Sequence, residues 1–256
     1  MIFHQPLNSK MNFNYNAYIY SNTGYDSHFH SNYELIYVFE GEMQVFVNAR
    51  EFILRGGNTL LISPFAVHSF KVPADARAWV GVFSKDFVAD FASRNGHRQF
   101  SSFTLPEEQV GLLETQLFFE GKPEHYSCKA FLYLVCAECK KQAKVISSEN
   151  KGFRDAVIST ISREFQNDIS LKELAENLGY EYHYFSSLFH KCFNMDYKKF
   201  INLFRFERAC KLLETENQAI TEIYTLCGFS SLRNFNRVFK EMSGITPLEY
   251  KRNLPQ

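Results

Sequence analysis

The chain has 256 residues, 45% of them hydrophobic, with 27 Phe and 14 Tyr, and its 28 Lys/Arg are balanced by 28 Asp/Glu. That length holds one or two domains with ample apolar side chains for their cores, and a formal charge of zero argues against bulk, non-specific binding to nucleic acid. No apolar run reaches membrane-spanning length and the N-terminus shows no basic-then-apolar leader, so the protein is expected in the cytoplasm, without a membrane partner.

From Phe13 to Ile19 apolar residues alternate with Asn, the period of a strand. Further strands are predicted over Tyr33–Phe39, Glu42–Asn48, Glu51–Leu54, Thr59–Ser63 and Ala78–Phe83, punctuated by Gly41, Gly56, Gly57 and Pro64. Short strands at even spacing, broken by glycine turns, predict a small antiparallel barrel or jelly roll over residues 1–104. His28, His30 and Glu34 are an even number of residues apart, so a continuous strand would turn all three to one face, and His68 would join them from a later strand. Three readings of this set stay open. It is a hydrogen-bonded network in the barrel mouth. Or it lines an effector pocket, with Tyr37 as a further contact and Tyr15, Tyr33, Phe39, Phe46 and Trp79 as candidate walls. Or His28, His30, Glu34 and His68 hold a divalent metal, for which imidazoles and a carboxylate are competent ligands. With Gly41 and Pro64, the order His-x-His, Glu, His resembles the cupins.

Helical periodicity takes over next. Val110, Leu113 and Leu117 form a stripe over Pro106–Glu120, and Phe131, Leu132, Val135, Cys136 and Cys139 form another over Tyr126–Lys144. The segment 105–145 therefore reads as a helical pair. Cys136 and Cys139 make a lone C-x-x-C without a second pair at zinc spacing, so the six cysteines (with Cys128, Cys192, Cys210 and Cys227) read as free buried thiols. A polar stretch rich in Lys, Ser and Asn follows, and residues 146–152 read as a linker.

From Phe153 onward one pattern occurs twice. Glu173, Leu174 and Gly179 match Glu222, Ile223 and Gly228 at 49 positions; Phe185, Leu188 and Phe189 match Phe235, Val238 and Phe239 at 50. Each copy reads as a helix, a glycine turn and a second helix, giving helix-turn-helix units at about 170–192 and 219–241. In the later copy, Phe235, Val238 and Phe239 form an apolar stripe, while Arg233, Asn236, Arg237 and Lys240 share the opposite side, flanked by Ser231 and Asn234. Arg reads guanine, Asn reads adenine and Lys neutralises phosphate, so this face suits the DNA major groove. In the earlier copy the matching face holds His183, Ser186, Ser187 and His190, followed by Lys191, and is nearly uncharged. The alternative is the solvated side of an amphipathic helix, which a repeat in both core and face register disfavours. A single helix is predicted over Asp196–Glu214, with Asp196 as its N-cap. At ~1.5 Å per residue it could hold two reading helices about one DNA turn apart. Ser170 with Glu173 forms a capping box, and Gly244, Thr246, Pro247 and Glu249 read as a helix stop followed by a capped start.

The run Ile220-Thr-Glu-Ile, Cys227-Gly-Phe-Ser, Asn234-Phe-Asn-Arg-Val-Phe-Lys-Glu and Ser243-Gly-Ile-Thr-Pro-Leu-Glu-Tyr-Lys closely resembles the AraC/XylS family of bacterial transcription regulators. The likeness spans about 100 residues. The first unit departs from the family pattern at Ser187 and at Glu181-Tyr182, and Ala219 replaces a Ser N-cap. The resemblance implies an α+β chain: an N-terminal antiparallel β-barrel (a cupin-like jelly roll) with flanking helices, then an all-α domain, 153–256, with two helix-turn-helix units joined by a long helix. It further implies operator DNA and a small-molecule effector as partners, a homodimer through the helical pair, contact with RNA polymerase in an activator, and no catalytic residues or obligate cofactor. A metal-dependent cupin enzyme fused to a DNA-binding domain, and a ligand-independent dimeric DNA-binding protein, are the alternatives.

Overall fold

The computed structural model describes residues 15–48, 50–116, 124–146, 150–193, 195–215 and 218–254. They fall into two compact units, one ending at Ile146 and the other beginning at Asn150.

The first unit is a two-sheet sandwich. One antiparallel sheet has the order β1 (Tyr15–Tyr20), β8 (Arg77–Phe83), β3 (Tyr33–Glu40), β6 (Asn58–Ile62) and β10 (Phe103–Thr104). The other runs β2 (Thr23–His28), β7 (His68–Val72), β4 (Glu42–Val47) and β5 (Arg50–Arg55). A short pair, β9 (Gln99–Phe100) with β11 (Val145–Ile146), closes the unit's chain. The alternation in the sequence carries the fold: in β4, Met43, Val45 and Val47 are buried while Glu42, Gln44 and Phe46 are exposed. Ile36, Val38, Leu60, Ile62 and Val80 of the first sheet pack against Met43, Val45, Leu54, Phe70 and Val72 of the second. The expected barrel is therefore an open sandwich. Both sheets keep edge strands, because among the described residues no hydrogen-bonded ladder joins one sheet to the other. The predicted first strand begins at Tyr15; Asn12, Phe13 and Asn14 lie outside the described residues.

The other face of the five-stranded sheet carries the aromatic residues. Tyr33, Leu35, Tyr37, Trp79 and Phe83 pack there against a 3-10 turn (Lys85–Val88), α1 (Ala89–Asn95), α2 (Glu107–Gln116) and α3 (His125–Gln142). The Trp79 indole lies across Gly81, where a Cβ would stand 2.1 Å from the ring. The α3 stripe of Phe131, Leu132, Val135, Cys136 and Cys139 is buried against this sheet, as is Leu113 of α2; Leu117 lies outside the described residues. The helical pair is thus part of the first unit's own core. All six cysteines are free, and burial pushes the Cys136 and Cys139 thiols up, so this C-x-x-C is a packing element.

The second unit is helical: α4 (Lys151–Glu164), α5 (Leu171–Asn177), α6 (Tyr182–Phe193), α7 (Tyr197–Thr215), α8 (Ile220–Leu226), α9 (Leu232–Ser243) and α10 (Pro247–Arg252). Lys151 and Gly152 are already helical, so the expected linker 146–152 is shorter than read; residues 147–149 lie outside the described residues. The predicted long helix is α7, started by Asp196, whose Oδ1 accepts from the Lys199 amide at 2.8 Å. Phe200–Phe206, Ala209, Cys210, Leu212 and Leu213 of it are buried. Phe200 meets Phe189 and Phe193 of α6 at one end, and Phe206 meets Phe239 of α9 toward the other. Each such buried Phe contributes about 1.5–3 kcal/mol. Arg205 of α7 donates to the Phe165 and Asn167 carbonyls at 2.8 and 3.0 Å, closing the C-terminal end of α4, and lies over the Phe229 ring. The Ser170/Glu173 and Thr246/Glu249 capping boxes form as the sequence predicts, and Gly244 ends α9 at φ 79°.

Candidate functional site

Two sites emerge, one in each unit. In the first, His28 ends β2, His68 begins β7, Glu34 is the second residue of β3, and His30 lies in the connection that carries the chain from one sheet to the other. His28 and His68 are register partners in the four-stranded sheet, whereas Glu34 belongs to the five-stranded sheet. The expected continuous strand through His28, His30 and Glu34 does not form; a crossing between layers brings them together instead. All four are buried, with relative exposures of 2%, 5%, 1% and 1% for His28, His30, Glu34 and His68.

Hydrogen bonding fixes how each ring faces the cluster. The Nδ1–H groups of His28, His30 and His68 donate to the carbonyls of Asp26, Asn32 and Ala66 at 2.8, 3.0 and 2.8 Å. A carbonyl has no proton to give, so all three rings carry their proton on Nδ1 and turn Nε2 inward. His30 Nε2 and His68 Nε2 approach the same Glu34 oxygen, Oε2, at 3.1 and 3.3 Å. His28 Nε2 and Glu34 Oε1 have no hydrogen-bond partner among the described residues. One ligand atom from each of the four residues falls within 4.8 Å of the others. Burial, and then His68 beside it, lowers His28 to about 3, so this ring is neutral. Burial works to raise the Glu34 carboxyl, but His68 and His30 outweigh it and hold it well below the usual range. Burial works to lower His68, and Glu34 reverses that and raises it.

The loop around the cluster is held in place. Phe65, at φ 60°, donates its amide to the His30 carbonyl at 2.8 Å, and the Asn48 side chain accepts from the Val67 amide at 3.1 Å. A left-handed Phe persists where surrounding contacts determine it. Tyr37 does not join the set. It stands three residues from Glu34 on β3, which places it on the opposite face, in the helix-covered core. Tyr33, Trp79 and, at the rim, Tyr15 and Phe39 belong to that same core, and Phe46 is exposed on the outer sheet face. The expected aromatic walls around the His/Glu set are therefore corrected; Tyr25 and Phe70, with Tyr20, are the rings on its side.

The second candidate site is the exposed side of α6 and α9, the second helix of each repeat. On α9, Phe235, Val238 and Phe239 are buried, while Arg233, Asn236, Arg237 and Lys240 are exposed and Asn234 is half-buried. Ser231 is the α9 N-cap, its hydroxyl accepting from the Asn234 amide at 3.2 Å. Arg237 donates to Glu241 Oε2 at 2.9 Å and to Asn234 Oδ1 at 3.0 Å, so two predicted contacts, Asn234 and Arg237, are bonded to one another. On α6, Phe185, Phe189 and Phe193 are buried, and His183, Ser187, His190 and Lys191 are exposed, with Ser186 half-buried. Glu181 is a residue the sequence reading left without a role. Its Oε2 accepts from the Tyr184 amide at 2.9 Å, so it caps α6, and backbone amides hold its carboxyl below the usual range. Glu is an uncommon N-cap, which hides the signal. The cap places a negative charge at the leading end of the first reading helix.

Both units match families of known proteins. Residues 13–108 match the family of the AraC-like ligand binding domain, and residues 174–253 match the helix-turn-helix domain family. The chain therefore carries an AraC-like ligand binding domain followed by a helix-turn-helix domain. An HTH-type transcriptional regulator of Bacillus subtilis, YtdP, is 30% identical over 105 residues, which are 41% of this chain and 14% of that protein. SAS0078 of Staphylococcus aureus is 33% identical over 99 residues, 39% of this chain and 13% of its own. The match thus covers a small part of those relatives' own length. Among solved structures, ToxT from Vibrio cholerae superposes with a TM-score of 0.52 at 13% identity, covering 95% of this chain and 100% of that one. A fatty-acid-bound ToxT gives 0.51 at 14% identity over 95% of this chain and 96% of its own. At that identity the likeness is one of fold alone.

Proposed function

We propose that this AraC-type chain is a sequence-specific DNA-binding transcription regulator that responds to a small molecule bound in its first unit. The observation that supports this best is the face of α9: a buried Phe235/Val238/Phe239 stripe backs exposed Arg233, Asn236, Arg237 and Lys240, side chains suited to base edges and phosphates. The α5–α6 pair repeats the arrangement with a weakly charged face, so the two units contribute unequally. The effector acts by population shift, favouring one arrangement of the chain over another. The fatty acid in ToxT is a small-molecule precedent for the fold. Activation through RNA polymerase, a homodimer and a cytoplasmic location complete the proposal; no helix among the described residues is long and apolar enough to cross a membrane.

The test is selection of bound duplexes from a random DNA pool by the purified chain, followed by titration of variants on the selected site. Arg233→Ala and Arg237→Ala lose about 1–3 kcal/mol of specific binding each, and Ser187→Ala loses less. A pool that yields no enriched sequence overturns the reading. Equal losses from both helices overturn the asymmetry.

A further inference from the structure

We propose that His28, His30, Glu34 and His68 form a binding site for one divalent first-row transition metal, spanning the two sheets of the first unit. The donors and acceptors of the cluster do not balance on their own. Three Nδ1–H groups are committed to backbone carbonyls, which leaves three inward Nε2 atoms around one carboxylate. For both contacts to Glu34 Oε2 to be hydrogen bonds, His30 and His68 would each need a second ring proton, making two cations beside one anion in a buried space. The count still leaves His28 Nε2 and Glu34 Oε1 buried without a donor among the described residues. A cation at the centre satisfies all of them at once, with every imidazole neutral. The three carbonyl contacts are what a metal-ligating histidine requires of its other nitrogen: they fix the tautomer and the ring plane. Donor chemistry sets the class. Three imidazole nitrogens and one carboxylate select zinc, iron(II), cobalt(II) or nickel(II); calcium and magnesium take oxygen ligands, and copper(I) prefers sulfur. Four protein ligands that bridge two sheets also make the metal a cross-link between them.

His28 is the residue on which to test this. Its Nε2 has no hydrogen-bond partner among the described residues, so His28→Gln removes a ligand without breaking the His30–Glu34–His68 network. The untagged full chain is stripped with chelator, dialysed against zinc or cobalt(II), and its metal content and melting temperature are read. About one equivalent is expected. The melting temperature rises by several degrees with metal. In His28→Gln, and separately in Glu34→Gln, metal affinity falls by at least about tenfold while the stripped protein keeps its circular dichroism. A His183→Ala/His190→Ala variant, which removes exposed imidazoles of α6, keeps the full equivalent. A stripped, folded wild type that takes up no metal overturns the proposal. So does uptake that survives in His28→Gln but is lost from the α6 variant, which would place the ion on the surface of α6. DNA selection is a separate readout, so failure here leaves the regulatory reading standing.

Discussion

Within the proposed DNA interface, Arg237 is already clamped. Glu241 and Asn234 hold its guanidinium at 2.9 and 3.0 Å, and its side chain is still 58% exposed. A guanidinium fixed in one pose loses less freedom when it meets a guanine edge, so the clamp favours selectivity, while the Glu241 carboxylate repels phosphate nearby. Glu241→Ala is expected to tighten binding to random duplex DNA and to narrow the ratio of specific to non-specific affinity. Anisotropy titrations on the selected site and on a scrambled duplex read both. Residues of this kind are only half legible in a sequence. The cationic face of α9 follows from helical spacing, but the bonds among its members depend on rotamers. Tyr37 shows the converse: its odd separation from Glu34 already places the two on opposite faces of a strand, a signal outweighed by its aromatic character. The His/Glu set is legible in its residue types. Its assembly is not, because His30 sits in a crossing whose path no periodicity encodes.

Among the elements of the two repeats, α8 has an incomplete start. Ala219 occupies its N-cap with no side-chain bond, and Glu222 reaches back to the Ala219 amide at 3.4 Å. At the equivalent point of the first unit, Ser170 makes both halves of the box. Ala219→Ser should therefore supply the missing acceptor and stabilise the chain by about 0.5–1 kcal/mol in urea titrations. A Gly228→Ala change should do the opposite. Gly228 sits at φ 80°, and an added Cβ would stand 2.6 Å from the Gln166 carbonyl oxygen, so a loss of more than about 1 kcal/mol is expected in the same titration. Gly179 has the same conformation with open space around it, a difference between the repeats that sequence alignment of the two copies conceals. Strands and long helices are read well from sequence here because period-2 and period-3.6 patterns are strong. The polar β2, Thr-Gly-Tyr-Asp-Ser-His, carries no such pattern; its pairing with β7 forms it.

At the scale of the whole chain, charge is scarce where DNA should bind. Residues 153–256 hold 14 Lys/Arg against 13 Asp/Glu, and Arg154 and Arg205 are buried on backbone carbonyls and aromatic rings. The exposed cations of the two reading helices are Arg233, Arg237, Lys240 and Lys191. Binding should thus lose affinity only gently with salt: a plot of log affinity against log salt per chain should be no steeper than about −4, measured from 50 to 200 mM. Specificity must then come from base contacts more than from charge.

The burial of α7 against both α6 and α9 has an evolutionary corollary. A ruler packed at both ends cannot be lengthened by single steps. One inserted residue would swing everything beyond it through about 100° and advance it by about 1.5 Å, tearing either the Phe200 contacts or the Phe206 contacts from their partners. The spacing between the two reading heads is therefore locked against drift. On the proposed function, lineages that acquire new operators should do so by changing letters on the faces of α6 and α9, and not by changing the distance between them.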